Sequence, residues 1–151
     1  MPQCKAKVFV NARFDVIWQK SLEKIVDPAR YVDDIEHAEI LEQQDNQWLR
    51  LIRFKDPTWQ QLKELIVADK STGIIVYRLV DHPSFQGETI HICRTTNQVY
   101  QSELEYQLNW KLKDTNQHES QQQIDNAQQT LQLALNHIKR IAEEEAKTDQ
   151  Q

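Results

Sequence analysis

Two glycines and two cysteines are all that this 151-residue chain contains of either type. Cys4 and Cys93 are too few and too isolated for a disulfide framework or a four-thiolate zinc site, so neither fixes the fold. Gly73 and Gly87 build no glycine-rich phosphate loop, which removes the nucleotide-binding folds. No apolar run approaches the roughly 20 residues that a membrane-spanning helix needs. Basic clusters are scarce as well: 18 Lys and Arg face 23 Asp and Glu, the net charge is -5, and no face is available to neutralise a row of phosphates. Nucleic acid is therefore not an expected partner. The first ten residues alternate basic and apolar side chains and read as a strand in place of a secretion signal, so a cytoplasmic location is expected. The length suits one domain, taken as 1–146 with a frayed tail over 147–151.

What is present is a change of hydrophobic period along the chain. After a short strand over Lys5 to Val10, the residues Phe14, Ile17, Trp18, Leu22 and Ile25 recur at helical spacing, with Asn11 as the expected N-cap. Asp27-Pro28 opens a second short helix reaching about Tyr31. Six strands follow, over Ile35–Leu41, Trp48–Phe54, Gln60–Ala68, Ile74–Val80, Glu88–Thr95 and Val99–Leu112, separated by short polar turns that favour an antiparallel meander. Ile124, Ala127, Leu131, Ala134, Leu135, Ile138, Ile141 and Ala142 then stripe one face of a long helix over about Ser120 to Ala146. The order is β-α-α-β6-α, an α+β class with a curved sheet of about seven strands around the terminal helix. Because glycine is so scarce, bulges are expected to supply the curvature.

This arrangement resembles the START/SRPBCC superfamily, the fold of the birch pollen allergen, polyketide cyclases and steroidogenic lipid-transfer domains. The resemblance rests on Val8-Phe9-Val10-Asn11 running into Val16-Ile17-Trp18, on Asp27-Pro28-Ala29-Arg30-Tyr31, on Arg50-Leu51-Ile52-Arg53-Phe54, on the hairpin Glu64 to Tyr77, and on Leu104-Glu105-Tyr106. It is nearest to the small AtaL-like branch. It implies a helix-grip fold, and its motifs are packing patterns with no catalytic signature.

Strand parity predicts which side chains face the enclosed space. Leu104, Tyr106, Leu108 and Trp110 alternate with polar residues and are taken inward. A turn centred on Asn97 carries that parity to Ile90 and Ile92, and further turns carry it to Tyr77, Ile66, Leu62, Glu64, Trp48, Arg50 and Ile52. With Leu131 and Ile138 of the terminal helix, the expected ligand-binding set is Trp48, Arg50, Glu64, Ile66, Tyr77, Ile90, Leu104, Tyr106, Leu108, Trp110, Leu131 and Ile138. Arg50 opposite Glu64 is either an internal polar anchor for a ligand or an ordinary cross-strand pair.

His91 and Cys93 share a strand face, and so do His37 and Glu39, but parity points His91 and Cys93 outward and further ligands are missing, so no metal is expected. A Cys93–His91 nucleophile pair fails on distance, since side chains two apart on a strand are roughly 7 Å apart at their roots. No catalytic residue and no cofactor is assigned. The function expected is binding of a small hydrophobic ligand, aromatic or lipid-like, in an internal cavity. Two alternatives stay open: a cyclase- or aromatase-like enzyme using Arg50, Glu64 or a tyrosine, and an interaction domain, a homodimer through Trp59 and Phe85, with a vestigial cavity.

Overall fold

The computed structural model describes residues 3–55, 61–114, 116, 118 and 121–149. Strand β1 (Gln3–Val10) leads into helix α1 (Phe14–Val26) and a single 3-10 turn (Pro28–Arg30). There follow β2 (Ile35–Gln44), β3 (Gln47–Phe54), β4 (Gln61–Asp69), β5 (Ile74–Leu79), β6 (Phe85–Thr95), β7 (Ser102–Leu112) and helix α2 (Gln121–Asp149). Consecutive strands from β2 to β7 pair antiparallel and β1 adds beside β7, giving one seven-stranded sheet in the order β1-β7-β6-β5-β4-β3-β2. The α+β element order read from the hydrophobic periods is the one observed.

Asn11 is not the cap of α1. The chain must first bend out of β1, which it does with Ala12 N–H donating to Val10 O at 2.9 Å. The helix therefore starts after Arg13, whose backbone is extended and whose side chain makes no cap. Asn11 instead donates its backbone N–H to Glu143 of α2 at 2.8 Å. The expected second helix shrinks to one 3-10 turn, closed by Tyr31 N–H on Pro28 O at 2.9 Å. At the other end α2 keeps its helical geometry through Asp149, past the expected end at Ala146, and positions 150 and 151 lie outside the described residues.

Curvature comes from both sources. Strand β2 shifts register twice, between Ile35 and His37 and between Ile40 and Glu42, as bulges do. Gly87 contributes within β6: its φ is +125° and a Cβ there would lie 2.1 Å from Asn109 O, so only glycine allows the backbones to approach so closely.

Both helices lie on the same face of the sheet. From α1, Ser21 Oγ meets Cys93 Sγ at 3.8 Å, and just ahead of the helix Ala12 O accepts from Ser102 Oγ at 2.8 Å. From α2, Ala127, Leu131, Leu135, Ile138, Ala142 and Ala146 are buried in the same core. Gln128 Nε2 donates to Lys5 O at 2.9 Å, covering a carbonyl of edge strand β1. Lys20 of α1 ties the helices together, 3.0 Å from Glu145 and 3.1 Å from Glu23. Among the described residues no helix is long and apolar enough to cross a membrane.

Candidate functional site

The sheet register decides which side chains meet on the concave face. In β3 and β4, Trp48 opposes Ile66, Arg50 opposes Glu64 and Ile52 opposes Leu62, and all six are buried. Ile66 opposes Tyr77 in β5, also buried. In β7, Ser102, Leu104, Tyr106, Leu108 and Trp110 are buried in strict alternation. Leu131 and Ile138 of α2 are buried as well.

Strand β6 is where the expected pattern fails. Cys93 opposes Leu104 and His91 opposes Tyr106, so Ile90 faces away from the helices, opposite Gln107 and Val76. The cause is the loop before β7. Val99 and Tyr100 have strand-forming side chains but are 70% and 51% exposed, and the strand begins only at Ser102. Thr96 and Gln101 hold that loop, with Gln101 N–H donating to Gln98 O at 3.2 Å. The expected turn at Asn97 therefore misplaces β6 by an odd number of residues. The next link misplaces β5 by one, since Tyr77 opposes Thr89 and not Ile90. Two odd errors cancel in parity, which is why Tyr77, Ile66, Glu64 and Arg50 come out on the right face while Ile90 does not. His91 and Cys93, expected outward, are both buried inside.

The result is a buried polar ladder across the concave face. Arg50 Nη2 donates to Glu64 Oε1 at 2.9 Å, and Arg50 Nη1 donates to Lys24 O at 3.2 Å and Ile25 O at 2.9 Å. These carbonyls end α1, so the guanidinium also serves the negative end of that helix. Its Cζ stands 5.4 Å from the Tyr77 ring centroid. Tyr77 lies 4.5 Å from the His91 ring, and His91 stacks on Tyr106 at 3.6 Å with 13° between the planes. Lys24 Nζ closes the row, donating to Tyr106 Oη at 3.2 Å.

Burial dominates the electrostatics here. It pushes Lys24 down to about 7, helped by the Arg50 charge and opposed by Glu64. It lowers His91 well below the usual histidine range, with Lys24 and Arg50 adding to the effect, so the imidazole is neutral. It raises Tyr77 and Tyr106, which keep their protons, and it raises Cys93 to about 11, so this thiol is no nucleophile. No group of three or more metal-ligating side chains is assembled among the described residues.

Five buried side-chain atoms on this face have no hydrogen-bond partner among the described residues: Trp48 Nε1, Arg50 Nε, Tyr77 Oη, His91 Nδ1 and Trp110 Nε1. All belong to inward positions of β3, β5, β6 and β7. Native interiors pair nearly all such groups, and each one left unpaired costs about 1–3 kcal/mol.

A cleft of about 1330 Å³ opens at the rim where β3 and β4 meet the link between β5 and β6. Phe54, Val80, His82 and Phe85 line it, with Gln123 from the first turn of α2. His82 Nδ1 accepts the backbone N–H groups of Ser84 at 3.1 Å and Phe85 at 3.0 Å, which places the imidazole proton on Nε2. Behind this wall stands Trp110, its ring 5.7 Å from Phe85 and 6.4 Å from His82. None of the expected binding residues lines this cleft. Trp48 lines a smaller hollow of about 360 Å³ beside α1, and the others, Ile90 apart, are buried in the core. Phe85 packs on Trp110, half-buried, and is not an exposed contact, while Trp59 lies outside the described residues.

Sequence reasoning passed over Lys24 and the inward side of His91. For Lys24 a signal existed: Ile17, Ser21 and Lys24 follow helical spacing on the face of α1 that is buried.

Compared with solved structures, the chain matches an aromatase/cyclase, Zhui, from Streptomyces sp. R1128, with a TM-score of 0.71 and 17% identity over 93% of each chain. The fold is the helix grip. A protein from Thermus thermophilus gives a TM-score of 0.71 at 11% identity, over 93% of this chain and 97% of that one. An uncharacterized protein from Bacillus thuringiensis gives 0.70 at 10% identity, over 93% and 98%. No family model and no curated protein matches the sequence. At these identities the likeness is one of architecture, and chemistry has to be argued from the side chains.

Proposed function

We propose that this helix-grip domain binds a small hydrophobic molecule, aromatic or lipid-like, on the concave face between the sheet and its two helices. The observation that carries the reading is the set of five buried, unpartnered polar atoms on one face. A core meant only to be filled would place apolar atoms there, because each orphan lowers stability with nothing in return. Phe54, Phe85, Trp110, Leu108 and Leu62 supply the apolar surface that such a ligand needs. The rim cleft lies at the edge of this face, with Phe85 and His82 between it and Trp110, and it continues onto the outer face past Leu51, Arg53 and Lys63.

Mass spectrometry of molecules released from the freshly purified protein tests this. A stoichiometric apolar species is expected, and it should be lost in Thr89→Trp, which fills the inward position between Tyr77 and Leu108. A protein that releases nothing, and takes up no hydrophobic dye in either form, contradicts the reading.

A second reading, a cyclase-like enzyme akin in chemistry to the Streptomyces aromatase/cyclase, is favoured by one feature. His91 is neutral, with Nδ1 unpartnered, between two tyrosines and next to Lys24. A neutral imidazole in that position can take and return a proton. That reading requires His91→Gln to abolish turnover while ligand affinity stays within about twofold of wild type.

A further inference from the structure

Both helices pack on the concave face, and the sheet changes character on the opposite one. In β7 the outward positions are Glu103, Glu105, Gln107 and Asn109, polar throughout, as a face in contact with water requires. The middle strands do not follow that rule. Leu65 and Val67 in β4, Ile74 and Val76 in β5, and Ile90 and Ile92 in β6 all point outward, and none of them belongs to the core. Strand β5 reads Ile74-Ile75-Val76-Tyr77, apolar on both sides, which is the pattern of a strand covered on both faces.

These side chains are neighbours. Val67, Val76 and Ile90 form one row across the strands, Ile74 and Ile92 the next, and Leu65 carries the patch to Leu49 of β3. Strands about 4.8 Å apart and rows about 7 Å apart give an apolar patch on the order of 15 by 15 Å, a size that marks a contact surface. Among the described residues no element lies over it: Val67 is 38% exposed, and the others are half-buried only among their strand neighbours.

Charge indicates what covers it. At one end of the patch, in the row of Leu65, Arg78 of β5 stands 3.7 Å from Glu88 of β6. The margin carries both signs, with Lys63 on β4 and with Glu42 and Glu105 on the flanking strands. A lipid surface or a nucleic acid calls for a basic margin, which this is not. A cation and an anion side by side on adjacent strands are self-complementary, because a two-fold axis between them sets each on the opposite charge of a second copy. We propose that two copies of this chain pair through the outer faces of their sheets, about a two-fold axis that runs parallel to β5 and β6 and between them. Arg78 then meets the partner's Glu88, while Val76 and Ile74 lie on the partner's Ile90 and Ile92. Both surfaces are convex, so contact is closest at β5 and β6 and opens toward the edges, which makes the interface small and the dimer transient. The concave face stays free in this pairing, so the inference stands or falls apart from the ligand-binding function.

Sedimentation velocity of the full-length protein, from about 5 to about 500 µM, tests this, and a dimer with a dissociation constant on the order of 10–100 µM is expected. Arg78→Glu sets carboxylates against carboxylates across the axis, and Glu88→Arg sets guanidinium groups against each other, so each variant alone should dimerise at least about tenfold more weakly. Mixed in equal amounts, the two variants should form a heterodimer of wild-type strength, since every acid then faces an arginine of the other chain. Val76→Thr keeps the size and branching of the side chain and should weaken self-association severalfold, which retains a test if a charge variant does not fold; circular dichroism reports the fold of each. A wild-type protein that is monomeric at about 500 µM overturns the inference, also where that monomer floats with phosphatidylcholine vesicles and lipid is the cover. Dimers indifferent to all three substitutions overturn it as well, because the contact then lies elsewhere. Folded charge variants that remain monomeric when mixed overturn the proposed axis and the pairing built on it.

Discussion

Replacing Arg50 by methionine would strip a buried carboxylate of its counter-ion and the last carbonyls of α1 of their donor in one step. Glu64 would be left 5% exposed and unpaired, a situation that costs roughly 3–5 kcal/mol. Urea denaturation of Arg50→Met should show a loss of about that size. The double variant Arg50→Met/Glu64→Leu should recover most of it, because two apolar residues in a buried site need no counter-ion. If the double variant is as unstable as the single one, the pair is not the source of the cost. Lys24 predicts the opposite sign. Its folded value is about 7 against an ordinary 10.5, so between these limits the unfolded chain binds the proton and the folded chain does not. Stability contributed by this group is thus lowest below pH 7 and rises as pH increases toward 10.5. Lys24→Met should stabilise the protein near pH 7, by on the order of a few kcal/mol, and flatten the rise between about pH 7 and 9. A variant that keeps the wild-type slope there would show that Lys24 is not the titrating group. His91 acts at the acid end: its value is held well below 6.5, so the unfolded chain protonates first and stability falls as pH drops below about 6.5. His91→Gln should remove part of that fall.

At the level of elements, the β4–β5 hairpin depends on Gly73. Its φ is +73°, and a Cβ on it would lie 2.2 Å from Cys93 O, the carbonyl of the residue whose N–H donates to Gly73 O at 2.8 Å. Gly73→Ala should therefore cost at least about 1–3 kcal/mol by thermal or chemical denaturation, from left-handed strain together with a steric clash. Ser71→Ala in the same turn removes one exposed hydrogen bond, from the hydroxyl to Asp69, and should cost well under half as much. An equal loss in both variants would mean that the turn as a whole, and not the close approach, is the sensitive feature. The elements also show where the sequence is readable. Strict alternation in β7 is visible because one face is sealed by helices and the other is wet. The start of β7 was hidden because Val99 and Tyr100 are strand-forming types put to use in a loop, Tyr100 beneath Arg13 with 4.6 Å between its ring and the guanidinium. A loop of different length reverses the parity of the strand it leads to, and His91 was concealed by that reversal. The pairing of β1 with β7 depends on contacts distant in sequence, which local patterns do not encode.

For the whole molecule, seven strands and two helices produce a largely apolar concave face that carries five unpartnered polar atoms. The architecture was legible in the change of period along the chain. The cleft was not, because Phe54, the His82–Phe85 link and Gln123 come from three separate segments and meet only after folding. Titration with the hydrophobic dye Nile red, read by quenching of tryptophan fluorescence, tests the central claim directly. Saturable binding of the dye, lost in Thr89→Trp while the circular-dichroism spectrum stays the same, is the predicted result. No saturable binding, or equal binding in Thr89→Trp, would contradict the account.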